Sequence, residues 1–182
     1  MGPATKFLKD EASTDAFLQA TGESLPTKTM RDREFVNRFV SFYLIPLDRY
    51  TRDVDKFLAL GLKTLNSTPE SVTDVSNAFR RSLRNNFALF GKHAFRKHSE
   101  GQKNRGVLNA SLWDVMSTGL APYPEELVTE RAHDLRCAFY SLMEDDEFIN
   151  AVTYSVNGTK HVKTRFEVAN AMFKGVLGAD GT

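Results

Sequence analysis

Cysteine is nearly absent from this sequence, which contains a single one, Cys137, among 182 residues. A single cysteine excludes an internal disulfide bond and a metal site built from several thiolates. It also favours a reducing environment inside the cell, so we predict a cytoplasmic protein. Cys137 lies between the apolar residues Leu135 and Phe139, a pattern that predicts a buried, inert thiol.

The sequence also lacks a long hydrophobic run and an excess of one charge. No apolar stretch approaches the ~20 residues that a membrane-spanning helix requires, so we expect no membrane partner. Lys and Arg number 24 against 23 Asp and Glu, which gives no overall attraction to nucleic acid. A glycine-rich phosphate loop and a Gly-x-Ser-x-Gly nucleophile motif are both missing from the sequence. We therefore predict a protein that is not an enzyme and uses no cofactor.

Large apolar residues, by contrast, are plentiful, with 41% hydrophobic residues and fourteen Phe. This composition is typical of a globular protein with an aromatic core, and the only Trp, Trp113, is expected in that core or as a docking anchor. The length fits one domain over residues 1–182. Apolar residues recur with a helical period almost throughout. We predict an all-α fold, a single compact array of about eight amphipathic helices.

Several local signals indicate where these helices begin and end. Pro46 ends one helix, and Thr68-Pro69-Glu70 begins another that ends near Gly91. Asn109 is predicted to cap the helix that follows it. Residues 124–142 are predicted to form one long helix.

One segment departs from the balanced overall charge, because Glu100 is the only acidic residue between positions 80 and 105. The Lys and Arg residues of this segment are Arg80, Arg81, Arg84, Lys92, Arg96, Lys97, Lys103 and Arg105. Arg81 and Arg84 lie on a helix opposite the apolar Phe79 and Leu83, so they are expected to face solvent. Cations gathered on one surface would neutralise phosphates and bind DNA. The alternatives are a solvated face, or pairing with the acidic residues of segment 125–147.

The histidines offer weaker candidates. Glu130 and His133 have the Glu-x-x-His spacing of two metal ligands on one helical turn. No second copy of that motif is present, so no metal site is predicted. His93 and His98 are expected to lie on the basic surface, and His161 is expected on the surface of the last helix.

An ordered set of short segments resembles one protein family. The segments are Thr29-Met30-Arg31-Asp32-Arg33-Glu34-Phe35-Val36, Arg38-Phe39-Val40-Ser41-Phe42-Tyr43, Asp55-Lys56-Phe57-Leu58, Phe90-Gly91-Lys92-His93-Ala94-Phe95-Arg96-Lys97, Asn109, Leu112, Phe148-Ile149, Thr159 and Lys163-Thr164-Arg165-Phe166. Together they resemble the helical C-terminal half of a ParB-like family of unknown function that contains the GmrSD-type modification-dependent restriction enzymes. The resemblance extends over nearly the whole chain.

The resemblance implies a setting in restriction and phage defence. Members of the family carry an N-terminal ParB-like half, with an Asp-Gly-Gln-Gln-Arg signature linked to nucleotide use, and some add a His-Asn-His nuclease domain. This sequence contains neither feature. Nucleotide hydrolysis and DNA cleavage are therefore not expected of the chain, which would correspond to one part of a larger two-part protein.

Two functions are consistent with these observations. In the first, the chain is a non-catalytic helical module of a restriction or defence protein that contacts DNA through the basic segment. In the second, it is a protein-interaction half that docks onto a ParB-like, nucleotide-using partner domain in cis or in trans. An exposed apolar patch formed by Phe7, Leu8, Phe17 and Leu18 would favour the second function. The residues that open the family-like segment are the candidates for contact with that partner: Arg31, Asp32, Arg33 and Glu34.

Overall fold

Residues 2–178 form ten α-helices and four short 3-10 turns in a computed structural model, which describes this range except for the side chain of Pro69. The helices are α1 (Pro3–Ala12), α2 (Asp15–Thr21), α3 (Arg31–Leu44), α4 (Val54–Ser67), α5 (Val72–Phe90), α6 (Ala110–Leu120), α7 (Glu125–Glu130), α8 (Ala132–Glu144), α9 (Asp146–Thr153) and α10 (Thr159–Leu177). The described range contains no β-strand, so the predicted all-α fold is confirmed. Among these helices, none is long and apolar enough to cross a membrane.

Short polar side chains fix the beginnings of four helices. The side-chain oxygens of Thr14, Asp53, Asn109 and Asp145 each accept a hydrogen bond from a backbone N–H three residues later. Such a cap satisfies one of the backbone donors that a helix leaves unpaired at its start. The predicted cap at Asn109 is therefore confirmed, with a distance of 2.9 Å between its Oδ1 and the N of Leu112.

Helix α6 lies at the centre of the array and packs against α3, α5 and α10. Its Trp113 is completely buried, and the ring centroids of Phe17, Phe35, Phe79 and Phe95 lie 4.4 to 6.1 Å from that of Trp113. The indole Nε1 donates a hydrogen bond of 2.8 Å to the Phe35 carbonyl, so the buried polar atom is satisfied. The aromatic residues thus build the core, as predicted.

A buried charge network joins α6 to α3 and α10. Asp114 of α6 accepts hydrogen bonds of 2.8 and 2.6 Å from Arg38 of α3 and one of 2.9 Å from Arg165 of α10. Burial alone would lower the pKa of Arg38, but the charge and hydrogen bonds of Asp114 outweigh it and raise that pKa. Burial lowers the pKa of Arg165, against the opposing effect of Asp114. Two guanidinium groups therefore share one fully buried carboxylate.

The helix predicted over residues 124–142 is divided at Arg131 into α7 and α8. Tertiary packing explains the division, because α7 packs on α5 whereas α8 packs mainly on α10 and α9. An apolar period read from the sequence reports which side of a helix is buried and not where the helix changes direction. The described range contains ten α-helices against the predicted eight or so, and this division accounts for part of the difference.

The prediction of a buried Cys137 is wrong, because its thiol is exposed. Leu135 and Phe139 are buried and lie one turn apart on the same side of α8. A residue halfway between two such positions points to the opposite side of the helix. The apolar neighbours in the sequence therefore place Cys137 on the solvent side.

Candidate nucleic-acid interface

The three arginines of the basic segment that lie on α5 are each held by a partner within the chain. Arg80 makes a paired contact of 2.9 and 2.8 Å with the carboxylate of Glu11, which is only 3% exposed. The Nε of Arg81 donates to the Ala121 carbonyl at 2.8 Å. These contacts connect α5 to α1 and to the residue after α6.

Within residues 2–178, Arg84 forms the one ion pair between the basic segment and the acidic segment 125–147, a pairing that the sequence had suggested. It is exposed, and its Nε lies 2.7 Å from Oε1 of Glu125 at the start of α7. Pairing within the chain therefore occurs for Arg80 and Arg84, whose charges are offset by carboxylates. Arg81, which is partly buried, is the helical arginine of this segment without a carboxylate partner in residues 2–178.

Arg96 lies in the interior, with 1% of its surface exposed. It donates hydrogen bonds of 2.8 to 2.9 Å to the carbonyls of Gly106, Ala94 and Thr21 and to the hydroxyl of Ser24. Burial lowers its pKa to about 10, and the charge of Arg105 acts in the same direction. The surface position expected for Arg96 is therefore wrong, and its guanidinium instead ties the end of α2 to the segment that precedes α6.

The remaining four cations, Lys92, Lys97, Lys103 and Arg105, are exposed. All four belong to residues 91–109, which we call the cationic loop. Lys92 donates to the Lys103 carbonyl at 2.8 Å, and Arg105 donates to the Gly22 carbonyl at 3.2 Å. Lys97 donates to the Thr153 hydroxyl at 3.1 Å. None of the four forms an ion pair with a carboxylate of residues 2–178.

The cationic loop is closed by its own backbone and by His98. The Asn109 N–H donates to the Phe95 carbonyl at 3.0 Å, and Phe95 adopts a positive φ of 60°. His98 is 7% exposed and bonds through Nδ1 to the Arg96 carbonyl. Burial lowers the pKa of His98, and the charge of His93 lowers it further. The surface position expected for His98 is thus wrong, since its ring is part of the packing beneath the loop.

A cavity of about 360 Å³ opens between the cationic loop and the helices α8 and α9. On the helix side its wall includes Tyr140, Met143 and Ile149, all partly buried, and the exposed Glu144. On the loop side it is bounded by Lys97 and His98. Side chains from segments about forty residues apart in the sequence therefore meet at one concavity beside the cations.

The residues proposed to contact a partner begin α3. Arg31 is exposed and lies 5.8 Å from the centre of the Phe35 ring, Arg33 is partly buried, and Glu34 lies 3.9 Å from Arg38. Asp32 is 6% exposed, and its Oδ1 has no hydrogen-bond partner among the described residues.

The exposed apolar patch that would have favoured a protein partner is mostly absent. Phe7, Leu8 and Phe17 are buried in the core, whereas Leu18 is 38% exposed. Met30, at 61% exposed, is the apolar side chain that instead reaches solvent immediately before α3.

The remaining candidates lie on α7, α8 and α10. Glu130 and His133 are exposed, and the Sγ of Cys137 lies 3.7 Å from Nε2 of His133. No group of three or more His, Cys, Asp or Glu residues in the range 2–178 is arranged to hold a metal ion. His161 is partly buried and contacts the Ser155 carbonyl.

Sequence reasoning identified the four exposed cations but not the cavity beside them. The charge run between residues 80 and 105 was the signal for the cations. Tyr140, Met143 and Ile149 have the spacing of ordinary residues in amphipathic helices, so nothing in the sequence distinguished them.

No protein-family model, no curated protein and no solved structure matches this chain.

Proposed function

We propose that this chain is a non-catalytic module that binds nucleic acid through the cationic loop. One observation carries the proposal: Lys92, Lys97, Lys103 and Arg105 project from a loop fixed to the core, and no carboxylate of residues 2–178 pairs with them. The resemblance to the helical half of ParB-like restriction proteins supports DNA as the ligand and defence as the setting.

The electrostatics of such a loop favour phosphate contacts over base readout. A cation without an intramolecular partner releases counterions from DNA without first breaking an ion pair in the protein. Because the loop is held by Arg96 and by the Phe95–Asn109 backbone bond, little chain entropy is lost on binding. Four phosphate contacts predict that affinity falls on the order of a hundredfold between 50 and 200 mM salt.

Fluorescence anisotropy of a labelled DNA duplex, titrated at those two salt concentrations, tests this proposal. The Lys92→Gln/Lys103→Gln variant is expected to weaken binding and to reduce the slope of log affinity against log salt by roughly two. The matched control is Lys63→Gln/Lys174→Gln, which removes the same charge from exposed positions on α4 and α10. Equal effects of the two variants, or binding without salt dependence, would contradict the proposal.

A second candidate function is docking onto a ParB-like partner domain through the start of α3. It is favoured by the exposed side chains of Met30 and Leu18, and by the buried Oδ1 of Asp32, which has no hydrogen-bond partner within residues 2–178. Leu18, Asp32 and Arg33 line one cavity of about 250 Å³. An exposed apolar side chain next to an unused hydrogen-bond acceptor is a combination found in protein interfaces.

Titration calorimetry with a ParB-like domain that carries the Asp-Gly-Gln-Gln-Arg signature tests the second candidate. Met30→Asp is expected to weaken the complex at least tenfold, because it places a charge in an apolar contact. Tyr154→Asp changes a side chain of similar exposure, 64%, away from this surface and is the control. Absence of heat at concentrations of tens of micromolar would exclude a stable complex.

A further inference from the structure

The cavity between the cationic loop and α8–α9 has the wall chemistry of a site for a flat aromatic ligand. The Tyr140 and His98 rings meet edge to face with centroids 5.5 Å apart, and Met143 and Ile149 add apolar surface. The volume of about 360 Å³ is in the range of small-ligand sites. Rings and a thioether offer stacking surface that is indifferent to the identity of a base.

Polar groups stand at the rim of the same cavity. Glu100 comes from the loop and Glu144 from the end of α8. Neither carboxylate forms a hydrogen bond or an ion pair within residues 2–178, so both are available as acceptors. The Nζ of Lys97 lies on the loop side, and within residues 2–178 its one hydrogen bond is to the Thr153 hydroxyl.

We propose that this cavity accepts a single unstacked nucleobase that carries an exocyclic amino group. The base would lie against Tyr140 and Met143, its amino group would donate to Glu100 or Glu144, and its phosphate would contact Lys97. Carboxylates accept hydrogen bonds from amino groups such as the cytosine N4 and repel the carbonyl oxygens that replace them in uracil.

The ionisation of the two rings agrees with a neutral aromatic ligand. Burial lowers the pKa of His98, which keeps its imidazole uncharged near neutral pH. Burial, together with the charge of Glu100, raises the pKa of Tyr140 above its usual value, so its hydroxyl stays protonated. The floor of the cavity therefore carries no charge, while the charges lie at its rim.

This inference rests on the proposed function, since Lys97 belongs to the cationic loop. It adds that the site takes a base out of a single strand or out of an opened duplex, as proteins that read bases outside the stack must do. The remaining cations, Lys92, Lys103 and Arg105, would hold the adjoining phosphates.

The test is an NMR chemical-shift titration of the whole chain with free mononucleotides in matched pairs. Deoxycytidine and deoxyuridine monophosphates differ only at the 4-amino position and the adjacent ring nitrogen. We expect the cytidine nucleotide to bind about tenfold more tightly than the uridine nucleotide. The shifts are expected at the residues that line the cavity, among them Lys97, Tyr140, Met143 and Ile149, and not elsewhere in the protein.

Two kinds of variant separate stacking from recognition of the amino group. Glu100→Gln/Glu144→Gln is expected to reduce the ratio of the two affinities to about one, with Glu126→Gln on α7 as control. Tyr140→Ala is expected to weaken both nucleotides about tenfold, with the exposed Tyr154→Ala as control. Tyr140 packs on His98 and Phe139, so Tyr140→Ala can also disturb the fold. In that case the carboxylate variants alone test whether the cavity recognises the amino group.

Equal affinity for the two nucleotides in the unaltered protein, or shifts outside the cavity, would overturn the inference. So would a preference for cytidine that survives the loss of both carboxylates. These outcomes are independent of the duplex titration with Lys92→Gln/Lys103→Gln. That variant leaves the cavity wall intact, so failure of the cavity and failure of the cationic loop can be told apart.

Discussion

At the scale of single residues, the most consequential position is Asp114, whose one carboxylate pairs with two buried guanidinium groups. Arg38 and Arg165 reach it from helices that do not follow each other in sequence. Replacement of a buried ionic partner leaves the other charges without compensation, which costs far more than the intact network contributes. The carboxylate therefore governs whether α3 and α10 can both approach α6.

We expect Asp114→Asn to lower the free energy of unfolding by about 3–5 kcal/mol. Urea denaturation followed by circular dichroism measures the change. Asp134→Asn is the control, because the side chain of Asp134 is 57% exposed and lies 3.9 Å from Arg131; such a surface pair contributes little. A loss below about 1 kcal/mol for Asp114→Asn would mean that the two arginines are stabilised by other groups.

His98 is expected to make stability depend on pH. Its pKa in the folded protein is lowered, chiefly by burial, so below the pKa of about 6.5 found in unfolded chains the unfolded state binds more protons. The contribution of His98 is therefore complete above that pH and is lost as pH falls towards the lowered pKa of the folded state. Between pH 7.5 and 5, His98→Gln should lose less stability than the unaltered protein, as urea midpoints can show. Parallel pH profiles would assign the effect to other groups.

The burial of Arg96 could not be predicted from the sequence. Within a run of cations, Arg96 could not be distinguished from Lys97, yet the first is buried and the second is exposed. A guanidinium with five donors can satisfy several carbonyls at once and so can be buried in a loop, whereas an ammonium group cannot span them. The acceptors, including Thr21 and Gly106, become neighbours only in the folded chain.

At the scale of the helices, close approach between α3 and α4 depends on Gly61. A Cβ at this position would lie 2.8 Å from the Cα of Ser41, a backbone atom that cannot move aside alone. Gly61→Ala is therefore expected to destabilise the protein by about 1–3 kcal/mol.

Gly175→Ala is the matched control for Gly61→Ala. A Cβ at Gly175 in α10 meets no atom within 4 Å, so that change should stabilise by about 0.5–1 kcal/mol through helix propensity. Opposite signs for the two variants in thermal unfolding would support this account of the α3–α4 contact. Equal effects would contradict it.

The helices were largely predictable because most of their signals are local. The cap at Asn109, the end of α5 at Gly91 and the apolar faces of α4 and α10 each depend on residues within one or two turns. The division at Arg131 was not predictable, because it follows from the different packing partners of α7 and α8. Tertiary contacts of this kind override a continuous helical period.

At the scale of the whole molecule, ion pairs within the chain decide which cations of the basic segment remain available to a ligand. Arg80 and Arg84 have carboxylate partners, while the loop cations have none within the described range. The sequence could indicate the charge run but not this separation, because Glu11 is 69 residues from Arg80. The cavity was unpredictable for the same reason, since its walls come from separate parts of the chain.

The Arg96 guanidinium has a consequence for how the native protein opens. Through one side chain it joins the end of α2 to residues 75 positions later, so those two regions should detach together as one cooperative unit. Native-state hydrogen exchange would then give the Glu23 amide, bonded to Leu18, the same opening free energy as the Asn109 amide, bonded to Phe95. In Arg96→Met the two amides should exchange with different energies. The surface proposed to bind nucleic acid would thus be only as rigid as the last turn of a helix near the N-terminus.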